Sequence, residues 1–68
     1  MLPDVREMNY TMQEYKSVAT RLQYVPIQSV AEEAGYPRTV VRNVKTQHRL
    51  VTADQLRDIR QALDRMGK

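Results

Sequence analysis

The sequence predicts a compact all-α fold of about four helices arranged around a central helix-turn-helix. Apolar residues recur at spacings of three and four along most of the chain, which is the period of one helix face. Two capping boxes, each a threonine with Glu or Gln three residues later, are typical of helix starts. A glycine and a proline lie between two short apolar-periodic segments, and together they predict a tight turn between two helices.

A chain of 68 residues predicts one small domain, with an N-terminal arm at 1–10 and a helical domain at 11–68. The chain contains no cysteine, which excludes disulfides and thiolate metal sites. A domain this small buries a limited core, and on stability grounds we expect self-association into a homodimer. No apolar run is long enough to span a bilayer and no signal peptide is evident, which favours a cytoplasmic location.

The first helix is predicted to begin at Thr11, whose hydroxyl can accept from the N–H groups of the first turn. Glu14 completes this capping box. The helix ends before Pro26, because the residue that precedes a proline is pushed out of the helical region. Its apolar face at helical spacing consists of Met12, Tyr15, Val18, Ala19 and Leu22.

Two short helices are predicted at 27–34 and 37–45. Gly35 ends the first of them, since glycine readily takes the left-handed conformation of a tight turn. The second turns Val41 and Val44 inward, although its β-branched residues would also suit a strand.

The last helix is predicted to begin at Thr52, where Gln55 completes the second capping box, and Gly67 marks its end. Its inner face at a spacing of three or four consists of Leu56, Ile59, Leu63 and Met66. Leu63 and Met66, together with the N-terminal arm, are also the candidates for the contact between two copies of the chain.

The net charge of +3 is unevenly distributed along the chain. No acidic residue lies between Glu33 and Asp54. The same window contains four cations, which are Arg38, Arg42, Lys45 and Arg49. This distribution fits a partner with dense negative charge, and it fits equally well a solvated basic surface without a partner.

The stretch 30–44, VAEEAGYPRTVVRNV, resembles the helix-turn-helix of the lambda-repressor-like superfamily, which contains the phage Cro and repressor proteins and the headpieces of lac-repressor-type regulators. The similarity continues through 50–59 and covers about residues 27–63. It implies a lambda-repressor-like fold and a free-standing DNA-binding protein of the Cro type, encoded by a phage or a mobile element. The chain departs from this family at Pro37, where Ser or Thr is usual, at Tyr36, where a small aliphatic is usual, and in lacking a fifth helix.

Side chains that could read DNA follow from the inward placement of Val41 and Val44. The outer face near the N-terminal end of this helix is the part that enters the major groove. Guanidinium groups suit guanine, an amide suits the adenine edge, and a threonine methyl suits thymine. The predicted base contacts are Arg38, Thr39, Arg42 and Asn43. The predicted phosphate contacts are Gln28, Ser29, Lys45, Thr46, Gln47, His48 and Arg49.

These features predict a sequence-specific transcriptional regulator, most simply a repressor, that binds a palindromic operator in double-stranded DNA as a homodimer. The alternative is a helical protein-interaction module, such as an antitoxin or adaptor, that reuses the same fold. Charge reversal around Arg38 would then leave partner binding intact, and salt would matter little. An enzyme is not expected, because two serines, one histidine and no cysteine offer little for an active site. We expect no cofactor, metal, small-molecule ligand or membrane partner.

Overall fold

A computed structural model describes residues 10–67. Its elements are α1 (Met12–Arg21), a 3-10 turn (Leu22–Tyr24), α2 (Ile27–Ala34), α3 (Arg38–Lys45) and α4 (Ala53–Arg65). The prediction of a compact bundle of four helices is confirmed, and the β-branched residues of α3 are helical, since residues 10–67 contain no strand. No helix in this range has the length and apolar character needed to cross a membrane. Most of the predicted N-terminal arm, residues 1–9, lies outside the described residues.

Both predicted capping boxes are confirmed, and they fix where α1 and α4 begin. The Thr11 hydroxyl accepts from the Glu14 N–H at 3.1 Å, and the Glu14 carboxylate accepts from the Thr11 N–H at 3.2 Å. At α4 the Thr52 hydroxyl accepts from the Gln55 N–H at 3.2 Å, and the Gln55 side chain accepts from the Thr52 N–H at 3.0 Å. Each box satisfies two N–H groups that the first helical turn leaves without partners.

The turn between α2 and α3 is built as the glycine predicts. Gly35 has φ 80°, and the N–H groups of Gly35 and Tyr36 both donate to the Ala31 carbonyl, at 2.9 and 3.1 Å. Pro37 then precedes α3 with φ −60°, which is the value its ring imposes. The Tyr36 hydroxyl donates to the Asp58 carboxylate on α4 at 2.6 Å, which attaches the turn to the last helix.

The core lies where the four helices meet: α2 packs on α3 and α4, and α1 packs on the same two helices. The buried residues are Tyr15, Val18, Ala19, Leu22, Val25, Val30, Ala31, Val41, Val44, Val51, Leu56, Ile59, Ala62 and Leu63. Met12, predicted to face inward, is 48% exposed because it is the first residue of α1, so the apolar face of that helix starts at Tyr15. Tyr10, assigned to the arm from the sequence, packs against the core.

The prediction that Leu63 forms a dimer contact is wrong. Its side chain is completely buried within a single chain, because the periodic apolar residues of α4 face the other three helices. A side chain with no exposed surface cannot contact a second copy without opening the fold. Met66 is half-buried and packs against the edge of the core, and its role in a dimer stays a prediction.

Replacing Gly35 should lower the free energy of unfolding through the backbone alone. A Cβ at this position meets no atom within 4 Å, so the cost of Gly35→Ala comes from the left-handed conformation and is about 1 kcal/mol. For a domain of this size we expect the melting temperature to fall by roughly 4–8 °C. Gly35→Asn is the matched control and should cost less, because asparagine tolerates this conformation. Equal stability of Gly35→Ala and the parent in thermal denaturation would contradict the assigned turn.

Candidate nucleic-acid interface

The outward face of α3 is set by the two valines on its other side. Val41 and Val44 are completely buried, and this fixes the rotation of the helix about its own axis. Arg38, Thr39 and Arg42 are exposed as predicted. Asn43 is only half-exposed and lies at the edge of this face. The structure therefore brings three of the predicted base contacts onto one surface and puts the fourth beside them.

Four cations on and after α3 form what we call the basic surface, and none of them has an acidic partner within residues 10–67. They are Arg38, Arg42, Lys45 and Arg49. Lys45 is half-exposed and the other three are exposed. Because none of the four forms an ion pair with a described acidic residue, their positive charges face solvent without being neutralised.

Cations elsewhere on the described surface are mostly neutralised. Arg21 binds Asp64 at 2.8 Å, and Arg65 binds Glu33 at 2.7 Å. Arg57 pairs with two carboxylates of its own helix, at 3.3 and 3.5 Å. The described cations outside the basic surface that lack an ion pair are Lys16 and Arg60. On the described surface, most of the cations without an ion pair therefore lie on and after α3, in the window of the sequence that contains no acidic residue.

The four helices differ in how their N-terminal ends are capped, and this difference affects the local charge. α1 and α4 have side-chain caps, whereas α2 and α3 follow Pro26 and Pro37 and have none. Neither α2 nor α3 carries an acidic residue in its first turn. The N-terminal end of a helix carries a partial positive charge and unpaired N–H groups, so these two ends favour anions.

Gln28 and Ser29, predicted phosphate contacts, are both exposed in the first turn of α2. The Gln28 amide donates to the Glu32 carboxylate at 3.3 Å along the same helix. It would have to exchange that bond for one to a phosphate. Ser29 has no such competing contact among the described residues.

Of the remaining predicted phosphate contacts, Lys45 is half-exposed at the end of α3. The other four lie in the loop after α3 and are all exposed; they are Thr46, Gln47, His48 and Arg49. Gln47 has φ 54°, the left-handed region that favours glycine. Its N–H donates to the Val44 carbonyl at 3.1 Å, and the His48 N–H donates to the Asn43 carbonyl at 3.0 Å. This pair of bonds ends α3 in a Schellman motif. The Thr46 hydroxyl donates back to the Arg42 carbonyl at 2.9 Å.

Two tyrosine hydroxyls fix this loop to the rest of the domain. The Tyr15 hydroxyl lies 2.5 Å from the Arg49 carbonyl oxygen and 3.2 Å from that of Asn43. The Tyr10 hydroxyl donates to the Val51 carbonyl at 2.5 Å. The two rings are stacked, with centroids 6.2 Å apart and planes at 17°. The sequence places Tyr15 on the apolar face of the first helix, as a core or edge aromatic, and does not identify a partner for its hydroxyl. The available signal is its phenol, since a buried tyrosine hydroxyl requires a polar partner.

Gln23 is a further residue that the sequence did not single out. Its side-chain amide donates to the Lys45 carbonyl at 3.0 Å and to the Ala19 carbonyl at 3.1 Å. It therefore joins the end of α1 to the last residue of α3 and satisfies a carbonyl that the helix leaves unpaired.

The basic surface offers cationic and hydrogen-bond-donating groups, which suit an anionic partner. Among the described residues no three His, Cys, Asp or Glu side chains lie close enough together to hold a metal ion. The groups that do converge are guanidinium, ammonium and backbone N–H donors, which recognise phosphate and the edges of bases.

Comparisons with family models, with curated proteins and with solved structures found no match for this chain.

Three tyrosines have a raised pKa. Burial raises the pKa of the Tyr15 phenol, and the neighbouring Tyr10 raises it further. Burial also raises the pKa of Tyr10, against the lowering effect of its bond to Val51. The hydrogen bond to the Asp58 carboxylate is the main cause of the raised pKa of Tyr36. In each case the folded protein favours the neutral phenol.

Stability should therefore fall at alkaline pH. Because the three folded-state pKa values exceed the ordinary value of 10.0, the unfolded chain loses these protons first as the pH rises. The contribution of the neutral phenols is complete below the unfolded pKa and is lost as the pH rises through the folded pKa values. We expect the free energy of unfolding in urea to decline above about pH 10. The decline should be shallower in Tyr15→Phe than in the parent. An identical pH profile for the two proteins would contradict this prediction.

Proposed function

We propose that this chain is a sequence-specific DNA-binding protein that inserts α3 into the major groove and regulates transcription, most simply as a repressor of a phage or mobile element. The observation that carries the proposal is the basic surface, whose cations lie on one short helix and its loop without acidic partners in residues 10–67. The DNA backbone supplies a dense row of negative charges to match them. A cytoplasmic location is part of this proposal, because a phage or mobile element in a bacterial host places its DNA there.

In this proposal, the exposed face of α3 contacts the edges of the bases. The major groove is about 12 Å wide and admits an α-helix, whose diameter with its side chains is about 10–12 Å. α3 has eight residues and is about 12 Å long. Arg38 and Arg42 are one turn apart, with Cβ atoms about 5–6 Å from each other, so that each can present its guanidinium fork to a guanine. Thr39 lies between them in sequence and offers a methyl group to thymine. Asn43 lies at the edge of the face, so it can read an adenine only if α3 tilts to bring this edge toward the base.

Phosphate contacts would come from both sides of α3. Lys45 at the end of α3 and Arg49 in the loop after it supply charge. The uncapped start of α2 at Gln28 and Ser29 supplies backbone N–H groups before α3. These contacts carry no sequence information and fix the position of α3 along the groove.

A palindromic operator would require two copies of α3 about 34–36 Å apart, one for each half-site. A homodimer bound in this way over a promoter would repress by excluding polymerase, which needs no further domain. The candidate contacts that remain are Met66 and the N-terminal arm.

Binding can be measured by fluorescence anisotropy with DNA from upstream of the gene and with duplexes selected from a random library. The affinity of the parent should fall steeply with salt, as counterions are released from several phosphates. Arg42→Ala should cost about 1–3 kcal/mol and relax the preference at one base pair. Arg49→Ala should weaken binding to all duplexes alike and reduce the salt slope by about 1.

Arg57→Ala is the matched control for these variants, since it removes the same charge from an exposed arginine that pairs with Asp54 and Asp58. It should bind DNA like the parent. If it weakens binding as much as Arg42→Ala, net charge and not α3 is responsible. If Arg38→Ala and Arg42→Ala both bind like the parent, α3 is not the reading helix, and the alternative of a protein-interaction module gains support.

The homodimer is tested separately by sedimentation. We expect a dimer at micromolar concentration or on operator DNA, and Met66→Glu should shift the free protein toward the monomer. A monomer in both conditions would contradict the two-fold binding mode while leaving DNA binding itself in place.

A further inference from the structure

We propose that Tyr10 and Tyr15, here called the tyrosine pair, are positioning residues that hold Arg49 where it can bind a DNA phosphate. The inference rests on the proposed function and extends it to residues that do not touch DNA. Its basis is the set of bonds that the pair makes to the loop after α3. Those bonds end on backbone carbonyls at the last turn of α3 and along the loop that follows it.

The attachment is centred on Arg49. The carbonyl oxygen of Arg49 is the nearest acceptor of the Tyr15 hydroxyl, at 2.5 Å, while the Arg49 side chain is exposed and has no acidic partner in residues 10–67. Val51, two residues later, is attached in the same way to Tyr10. The backbone on which the cation sits is therefore fixed, while the cation itself remains available.

The pair is itself held rigidly by the core. Tyr15 is only 1% exposed and packs among the buried residues of α1, so its ring has little freedom. Tyr10 stacks on that ring and is in turn half-buried. The two aromatic rings thus connect the loop to the interior of the domain, and this connection sets the position of the loop.

The other restraints on the loop lie at its two ends, since Thr46, Gln47 and His48 bond back to α3 and Val51 is buried in the core. Between them, the backbone of Arg49 is held by the bond from Tyr15. Residues 46–52 form no regular secondary structure, and Gln47 occupies the left-handed region at some conformational cost. A loop freed from the pair would have to be ordered again when DNA binds. The effect expected is that of ordering the backbone of about one residue, Arg49, again on binding. We expect a loss of affinity of roughly threefold to tenfold.

The test measures DNA affinity and salt slope for Tyr15→Phe and Tyr10→Phe, which keep the rings and remove the hydroxyls. Ile59→Val is the control, because it removes a methylene from the buried face of α4 and lowers stability while leaving both tyrosine hydroxyls in place. All variants are compared where urea titration gives a fully folded population. Both tyrosine variants should bind more weakly than Ile59→Val. Tyr10→Phe serves alone if Tyr15→Phe does not fold, since Tyr10 lies at the edge of the core.

A double-mutant cycle separates positioning from a general structural role. If the pair acts through Arg49, Tyr15→Phe should change affinity less than twofold in an Arg49→Ala background, because the group being positioned is absent. An undiminished effect in that background would overturn the proposal. So would tyrosine variants that bind like Ile59→Val. A parent that shows no salt-dependent DNA binding would instead overturn the proposed function itself, so the two failures are distinguishable.

Discussion

Burial of Val41 and Val44 fixes the orientation of α3 and therefore determines which of its side chains face solvent. These two side chains are fully enclosed, and each is one turn of α3 from the other. A helix held by such a pair cannot rotate, so the residues on its opposite face have only one direction in which to point. The turn at Gly35 brings α3 back against α2, and the bond from Tyr36 to Asp58 holds that turn on α4. The exposure of the arginines on α3 is a consequence of this packing.

The polar interactions divide into those that stabilise the bundle and those that leave charge available. Capping boxes start α1 and α4, and ion pairs from Arg21 and Arg65 join helices that are distant in sequence. Exposed pairs of this kind contribute at most about 1 kcal/mol each, so their main effect is to neutralise surface charge. α2 and α3 have neither caps nor acids in their first turns. Four of the six described cations without an ion pair therefore belong to the basic surface, and the other two are Lys16 and Arg60.

Features that depend on local pattern can be predicted from this sequence, whereas features that depend on tertiary contact cannot. The capping boxes and the glycine turn are encoded within a few residues, so their positions were predicted correctly. Helical spacing identified Leu63 as apolar and inward but could not tell a core residue from one that faces a second copy. The end of α3 was not marked by a glycine; Gln47 takes the left-handed conformation there because the surrounding bonds require it. The contacts of Tyr15 and Gln23 join residues 22 to 34 positions apart, and no local pattern predicts such pairs.

The composition of α3 implies that its fold is set by residues other than those proposed to read DNA. With eight residues and several β-branched side chains, α3 would have little helical stability in isolation. Its structure must come from the buried valines and from the carbonyl contacts of Gln23 and Tyr15 at its C-terminal end. Arg38, Thr39 and Arg42 contribute little to that stability, since exposed substitutions usually change it by less than about 0.5 kcal/mol. If α3 reads DNA, those exposed positions can change to recognise a different operator while the domain keeps its fold.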